Sequence, residues 1–314
     1  MFSLPLKIAV IGAGAVGSSV VYTLMTSGFA SELVLIDVDR DRAEGEALDI
    51  ADGTPFAGPV RIYAGDYSHC SDAGIVIFAA GANQRPGESR LDLCVRNLKV
   101  VRSVVDNLAA HWKGGVLIMV SNPVDILTYA ALKYSGLPPE KIIGSGTVLD
   151  SARFRHLLSR HCQVDTRNVH AYVVGEHGDS EVFLWSRSTI AGVELDEFCD
   201  RRGVPRPDRK WFADRVRGAA AAIIARKGAT HYGVSLSVRR ICEAIVMDQQ
   251  SILTVSGLVN GEYGITDNAF SLPCVVGREG RSDVLDIPLP PNEEGALHHS
   301  ADVLKAVLRS SGLA

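Results

Sequence analysis

At 314 residues, 46% of them hydrophobic and 22% charged, the chain carries enough apolar material for one large globular domain or two ordinary ones. A formal net charge of −4, with no basic run, argues against a nucleic-acid partner or an anionic membrane surface. Cys70, Cys94, Cys162, Cys199, Cys242 and Cys274 show no C-x-x-C and no Cys/His cluster, so no metal site is expected and the thiols fit a reducing, cytoplasmic setting.

The first predicted strand, Lys7 to Ile11, runs straight into Gly12-Ala13-Gly14-Ala15-Val16-Gly17 and an apolar helical stretch near 15–27. In this G-x-G-x-x-G order Gly12 suits a tight turn, Gly14 the approach of a pyrophosphate, and Gly17 close packing of helix on strand. The helix start offers unpaired N–H groups and a positive dipole end to phosphates. Asp37 follows Gly17 by twenty residues, at the end of Leu33-Val34-Leu35-Ile36, where such a fold holds a ribose hydroxyl. The glycines alone are also an ordinary turn; strand, helix and acid together predict dinucleotide binding. Residues 8–16 share the apolar look of a signal peptide, but only Lys7 precedes them and no targeting segment is expected.

Further strands are expected at 33–36, 60–63, 75–79, 116–120 and 142–144, with helices near 41–51, 90–110 and 123–134; Pro123 opens the last of these, where a first helical turn accepts proline. No apolar run is long enough to cross a bilayer, the longest being Ala73 to Ala82. Continuously apolar strands alternating with helices predict an α/β fold, a doubly wound parallel sheet of the Rossmann kind with its ligand at the carboxyl ends of the strands. Beyond residue 145 the pattern changes. A helix near 150–162 precedes an alternating strand over 168–174 and the turn Gly175-Glu176-His177-Gly178-Asp179. Residues 201–208 read as a surface loop, 209–226 as one long alanine-rich helix, and 230–248 as another. Two or three antiparallel strands over 252–289 and a helix capped near Asn292 complete an α+β substrate domain. The expected division is 1–145 for the cofactor and 146–314 for the substrate.

Six segments, in order, carry a resemblance: residues 12–17, Gly81 to Leu93, Ser121-Asn122-Pro123-Val124-Asp125, Leu149 to Arg155, Gly175 to Glu181, and Lys227-Gly228-Ala229-Thr230. Across almost the whole chain the sequence resembles the lactate/malate dehydrogenase family, and within it the L-lactate dehydrogenases. The resemblance implies NAD as cofactor, pyruvate and L-lactate as substrates, and a homotetramer in the cytoplasm. Taken alone, His177 between two glycines is equally a turn or core histidine; the resemblance makes it the proton donor and acceptor, with Asp150 fixing its tautomer. Arg153 stands three residues on, one helical face with Asp150, which is equally the spacing of a surface ion pair. The resemblance gives it the substrate carboxylate, gripped through two parallel hydrogen bonds.

The resemblance also makes Arg90, following Pro86 and Gly87, the residue a closing lid brings to polarise the carbonyl. It places Asn122 on the substrate oxygen beside the nicotinamide and Thr230 beside the substrate methyl group. Val16, Arg42, Tyr67, Gly81, Ala82 and Ser145 align with cofactor contacts. Gln84 is the selectivity position: malate dehydrogenases carry arginine there for a second carboxylate, which a neutral glutamine leaves unpaired. Arg85 alongside keeps malate dehydrogenase activity as the alternative. Finally, Arg155 and His170 read either as a solvated arginine and a partly buried histidine or, by resemblance, as the site that binds fructose 1,6-bisphosphate between subunits and activates the enzyme.

Overall fold

The computed structural model describes residues 6–81 and 90–313. Its first half alternates as expected: β1 Lys7–Ile11, α1 Ala15–Met25, β2 Glu32–Ile36, α2 Arg40–Ala51, α3 Thr54–Ala57, β3 Arg61–Ala64, β4 Ile75–Phe78, α4 Arg90–His111, β5 Val116–Met119, α5 Val124–Ser135 and β6 Ile142–Gly144. These six strands pair in parallel in the order 6-5-4-1-2-3. β1 therefore has β4 on one side and β2 on the other, and the strand order reverses there, which opens a crevice at the carboxyl ends.

β4 and β5 are apolar at every position, and β1 and β2 at every position after the first, because alternate residues feed two separate cores. Ala9, Ile11, Val34, Val76, Phe78 and Leu117 pack against α4, α5 and the C-terminal helix. Ile8, Val10, Leu33, Leu35, Ile75 and Ile77 pack against α1, α2 and a helix of the second half.

The second half comprises α6 Val148–Cys162, β7 Val169–His170, β8 Val173–Val174, β9 Val182–Phe183, β10 Thr189–Ile190, β11 Val193–Glu194, α7 Leu195–Arg202, α8 Arg209–Arg217, α9 Ala219–Lys227, α10 Tyr232–Val246, β12 Ser251–Val259, β13 Asn268–Gly277, β14 Gly280–Val284 and α11 Pro291–Ser310. A third apolar cluster, built on Phe154, Leu158, Val169, Phe183, Phe212 and Val216, fixes α6 against α8 and the short strands.

Four local expectations need correction. The strand over 168–174 is two short strands with different partners, β7 against β10 and β8 against β9. The alanine-rich helix breaks at Gly218, which is the C-cap of α8 and the N-cap of α9; interior glycine costs a helix about 1 kcal/mol relative to alanine. Arg201 and Arg202 belong to the last turn of α7, capped by Gly203 at φ 66°, so the surface loop begins only there. Pro123 is the extended N-cap of α5 rather than a residue of its first turn.

The three long strands of the second half extend the sheet of the first. β12 lies antiparallel to β6 through Ser256 and Gly144, and β13 and β14 follow outward, giving nine strands in all. Gly144 permits this joint, since a Cβ there would stand 2.5 Å from Thr128 Oγ1 and 2.7 Å from Ser256 Cβ.

Candidate active site

The glycine turn after β1 is shaped by sterics. Gly12 has φ 110°, and a Cβ there would meet the Ala79–Ala80 backbone at 2.6–2.7 Å. A Cβ on Gly17 would stand 1.7 Å from Gly12 O, so only glycine lets α1 lie this close to the turn. Gly14 differs: nothing lies within 4 Å of its Cβ position, which leaves a cradle open at the N-terminus of α1. The first turn of α1 contains no acidic residue to fill that positive end. Asp37 closes the turn, accepting from Ala13 N at 2.5 Å and from Asp39 N at 3.0 Å. A carboxylate has lone pairs left for a ribose hydroxyl, so these residues fit a dinucleotide.

The other expected cofactor contacts fall in the segments that follow the strands β1 to β6. Val16 is half-buried against the core. Tyr67 is half-buried in a 3-10 turn, where burial and the nearby Cys70 and Asp37 push its hydroxyl pKa up. Arg42 is exposed on the first turn of α2 and gives its amide to the Asp39 cap. Gly81 faces Ser121 and Asn97, the latter donating to Asn122 O at 2.9 Å. Asn122 itself is exposed at the carboxyl end of β5, with Oδ1 accepting from Val124 N. Ser145 is buried after β6, its amide held by Met119 O at 2.7 Å. Ala82 and Gln84 lie outside the described residues, and of Arg90 the structure describes only its place as the first residue of α4.

The second cluster follows β5, β6 and β8. The start of α6 is anchored by Thr147, whose Oγ1 donates to Val173 O at 2.5 Å, and by Ser151, whose Oγ accepts from Val173 N at 2.9 Å. Gly175, at φ 83°, exchanges two backbone hydrogen bonds with Ser271 of β13. Glu176 N donates to Ser300 Oγ of α11, and His177 N donates to Asp125 Oδ2 of α5 at 2.7 Å. Four separate segments thus aim one imidazole.

His177 Nδ1 donates to Asp150 Oδ2 at 2.6 Å, which fixes the tautomer and leaves Nε2 as the outward atom. Asp150 is 2% exposed, and its other oxygen accepts from Arg153 Nη1 at 2.9 Å. The i,i+3 ion pair read from the sequence is therefore present, but buried and shared with the imidazole, not solvated on a surface. Burial alone would lower the His177 pKa; the charge and hydrogen bond of Asp150 overcome it and raise it to about 9. Burial opposes ionisation of Asp150, yet His177 and Arg153 hold its pKa below the usual carboxylate value. The result is an imidazolium that keeps its proton through neutral pH, with a guanidinium on the same face. Thr230 stands half-buried just before α10.

Two acids in this site have no role assigned from the sequence. Asp125 is 2% exposed, with Oδ1 lacking a hydrogen-bond partner, and burial raises its pKa to about 6. Glu181 is 3% exposed, with Oε1 likewise unpartnered, and burial raises its pKa to about 8. Both stand inside segments singled out above, Ser121 to Asp125 and Gly175 to Glu181. Only burial distinguishes them from ordinary surface acids.

The remaining pair is reversed from expectation. Arg155 is the half-buried member, donating from Nε to Ser151 O at 3.2 Å, and His170 is the exposed one, on β7. Burial and the charge of Arg240 push the Arg155 pKa down. All six cysteines are free and buried, with Cys162 and Cys199 Sγ 3.8 Å apart. No group of three or more metal-ligating side chains and no helix long and apolar enough to cross a membrane occurs among the described residues.

A doubly wound sheet with an open phosphate cradle, joined to a buried Asp–His pair and an arginine, defines a dinucleotide-dependent oxidoreductase. Residues 6–144 match the family model of the lactate/malate dehydrogenase NAD binding domain, and residues 147–311 match that of the family's alpha/beta C-terminal domain. The chain belongs to the lactate/malate dehydrogenase family, and its cofactor is NAD. It is 51% identical to an L-lactate dehydrogenase of Thermoanaerobacter sp. strain X514, over 96% of this chain and 98% of that one. It is 50% identical to an L-lactate dehydrogenase of Moorella thermoacetica, over 98% of both. Among solved structures, the ligands-bound minor L-lactate dehydrogenase from Enterococcus mundtii superposes with a TM-score of 0.94 at 43% identity, covering 98% of both chains.

Proposed function

We propose that this chain reduces pyruvate to L-lactate reversibly, with residues 1–145 holding the cofactor and 146–314 the substrate. The observation that carries the reading is His177 Nδ1 locked on Asp150 at 2.6 Å, with Arg153 on the same carboxylate. His177 Nε2 gives its proton to the carbonyl oxygen of pyruvate and takes the hydroxyl proton of lactate in reverse. Asp150 stabilises the imidazolium, and the free edge of Arg153 pairs with the substrate carboxylate. Arg90 polarises the carbonyl, Asn122 binds its oxygen, and Thr230 borders the methyl group. NAD, when bound, supplies or accepts the hydride; Gly12, Gly14, Gly17 and Asp37 shape its seat, and Val16, Arg42, Tyr67, Gly81, Ala82 and Ser145 line it.

The identity of the relatives and the neutral Gln84 support pyruvate over oxaloacetate. The test is NADH oxidation with each acid, in the parent and in Gln84→Arg. The parent should prefer pyruvate, and the variant should swing by about 100-fold towards oxaloacetate, because the introduced charge gains a partner with one acid and lacks it with the other. An unchanged preference would pass the selectivity role to Arg85.

The reading extends to a cytoplasmic homotetramer activated by fructose 1,6-bisphosphate at Arg155 and His170. The desolvated Arg155, whose pKa the charge of Arg240 pushes down further, supports it, since a bound anion would relieve that unfavourable field. The bisphosphate should lower the apparent KM for pyruvate in the parent. It should have no effect after Arg155→Ala combined with His170→Ala; activation surviving that change would put the site elsewhere.

A further inference from the structure

The charge balance around His177 is incomplete without Glu181. Its carboxyl is 3% exposed, and its Oε1 has no hydrogen-bond donor. Arg217 of α8 stands nearest, but its Nε is 4.0 Å away. Its Nη2 donates instead to the main-chain oxygen of Glu181 at 2.7 Å, and its guanidinium lies over the Phe183 ring at 5.3 Å. Arg217 therefore holds the backbone of this segment and leaves the carboxyl poorly paired.

The other charges that act on Glu181 are Asp150 and Arg153 from α6 and His177 from the turn. Asp150 is already ionised and committed to both cations. An ionised Glu181 would make a second buried negative charge next to them. A substrate carboxylate on Arg153 would make a third, with the Arg217 guanidinium, 4.0 Å from Glu181 and without a hydrogen bond to its carboxyl, added to the two cations. Buried carboxyls escape this by taking a proton, because neutralising the group costs less than burying an unpaired charge.

We propose that Glu181 is a proton-carrying positioning residue of the substrate pocket, neutral whenever pyruvate is bound. Binding pyruvate to the alkaline form of the enzyme then draws one proton from solvent onto Glu181, in addition to the proton His177 must hold for reduction. This inference rests on the pyruvate-reducing reading of the site. Glu181 touches neither reacting atom; it decides whether the field at Arg153 accepts or repels a carboxylate. Burial raises the Asp125 pKa only to about 6, below the alkaline limb on which this proton is read.

The experiment is kcat/KM for pyruvate at saturating NADH from pH 6 to 10, in the parent and in Glu181→Gln. The parent should lose activity at high pH with a slope approaching 100-fold per unit, roughly tenfold for each of two protons. Glu181→Gln, which mimics the neutral acid, should fall only about tenfold per unit. A purely structural Glu181 predicts a loss of similar size at every pH and an unchanged slope.

A second measurement uses the parent alone. Oxamate, a non-reacting pyruvate analogue, added to the enzyme–NADH complex in weak buffer above pH 9 should draw more than one proton per site, read with an indicator dye. Uptake that never exceeds one proton, or a two-proton slope retained in Glu181→Gln, overturns the proposal while leaving the enzyme's activity assignment standing. A parent that fails to oxidise NADH with pyruvate at pH 7 removes the activity assignment and this inference with it.

Discussion

The turn after β1 and the turn after β8 solve opposite problems. The first is six consecutive residues whose shape follows from missing side chains: Gly12 and Gly17 leave room for backbone, and Gly14 leaves room for a ligand. One side chain, Asp37, tightens it. The second is an imidazole aimed by Asp125, Asp150, Ser271 and Ser300, each from a different element, with buried carboxyls that have unpartnered oxygens. Cofactor binding needs a fixed shape that water can still reach, whereas proton transfer needs charges removed from water. The first can be built locally, and the second only by the whole fold.

Substitutions can pull the two apart. The largest effect should come from His177→Asn, which removes the proton donor but no part of the cofactor seat: kcat should fall by about a thousandfold or more, with NADH affinity, followed by fluorescence, within about twofold. Activity within tenfold of the parent would mean another group supplies the proton. Gly17→Ala should do the reverse. Its Cβ would stand 1.7 Å from Gly12 O, so α1 must shift, and NADH binding should weaken by about 100-fold while the Asp150–His177 pair keeps its alkaline pH limb.

A milder probe of the first turn is the coenzyme itself. The 2′-phosphate of NADPH would face Asp37, and like charges about 4 Å apart cost about 1–4 kcal/mol. Equal catalytic efficiency with NADPH and NADH would sink the part assigned to that carboxylate. The smallest effect concerns the second turn and stability. Asp125 has its pKa raised from 3.8 to about 6, so the folded state binds its proton more tightly than the unfolded state does. That contribution is fully present below pH 3.8 and is lost as pH rises through 6, worth roughly 3 kcal/mol at most. Asp125→Asn should therefore gain in Tm on the parent between pH 4 and 7, by about 2–4 °C per kcal/mol. A gap that does not vary with pH would show that Asp125 folds already ionised.

What could be read from the sequence follows the same division. The glycine turn, the parallel strands and the Asp150–Arg153 spacing were legible because each depends on residues near one another in the chain. The break at Gly218 was legible in principle, as a glycine among alanines, but the alanines outweighed it. The split of the strand over 168–174 was not, because β7 and β8 choose partners far along the chain. Glu181 and Asp125 look like any surface acid in the sequence; their role comes from burial, which no local pattern records. Arg155 and His170 exchanged their expected exposure for the same reason, since α6 turns Arg155 inward onto Ser151 O while β7 leaves His170 in solvent.

The joint between β6 and β12 bears on how this molecule can be taken apart. Stopping the chain after Gly144 would strip β12 from the side of β6 and expose the backbone of a fully apolar strand, a template for self-association. A cofactor half borrowed from a relative would have to bring small residues to the Gly144, Thr128 and Ser256 contact, or the sheet could not close across the graft. Modularity in this chain is therefore a property of the gene's two segments and not of the folded object, which should melt as one cooperative unit.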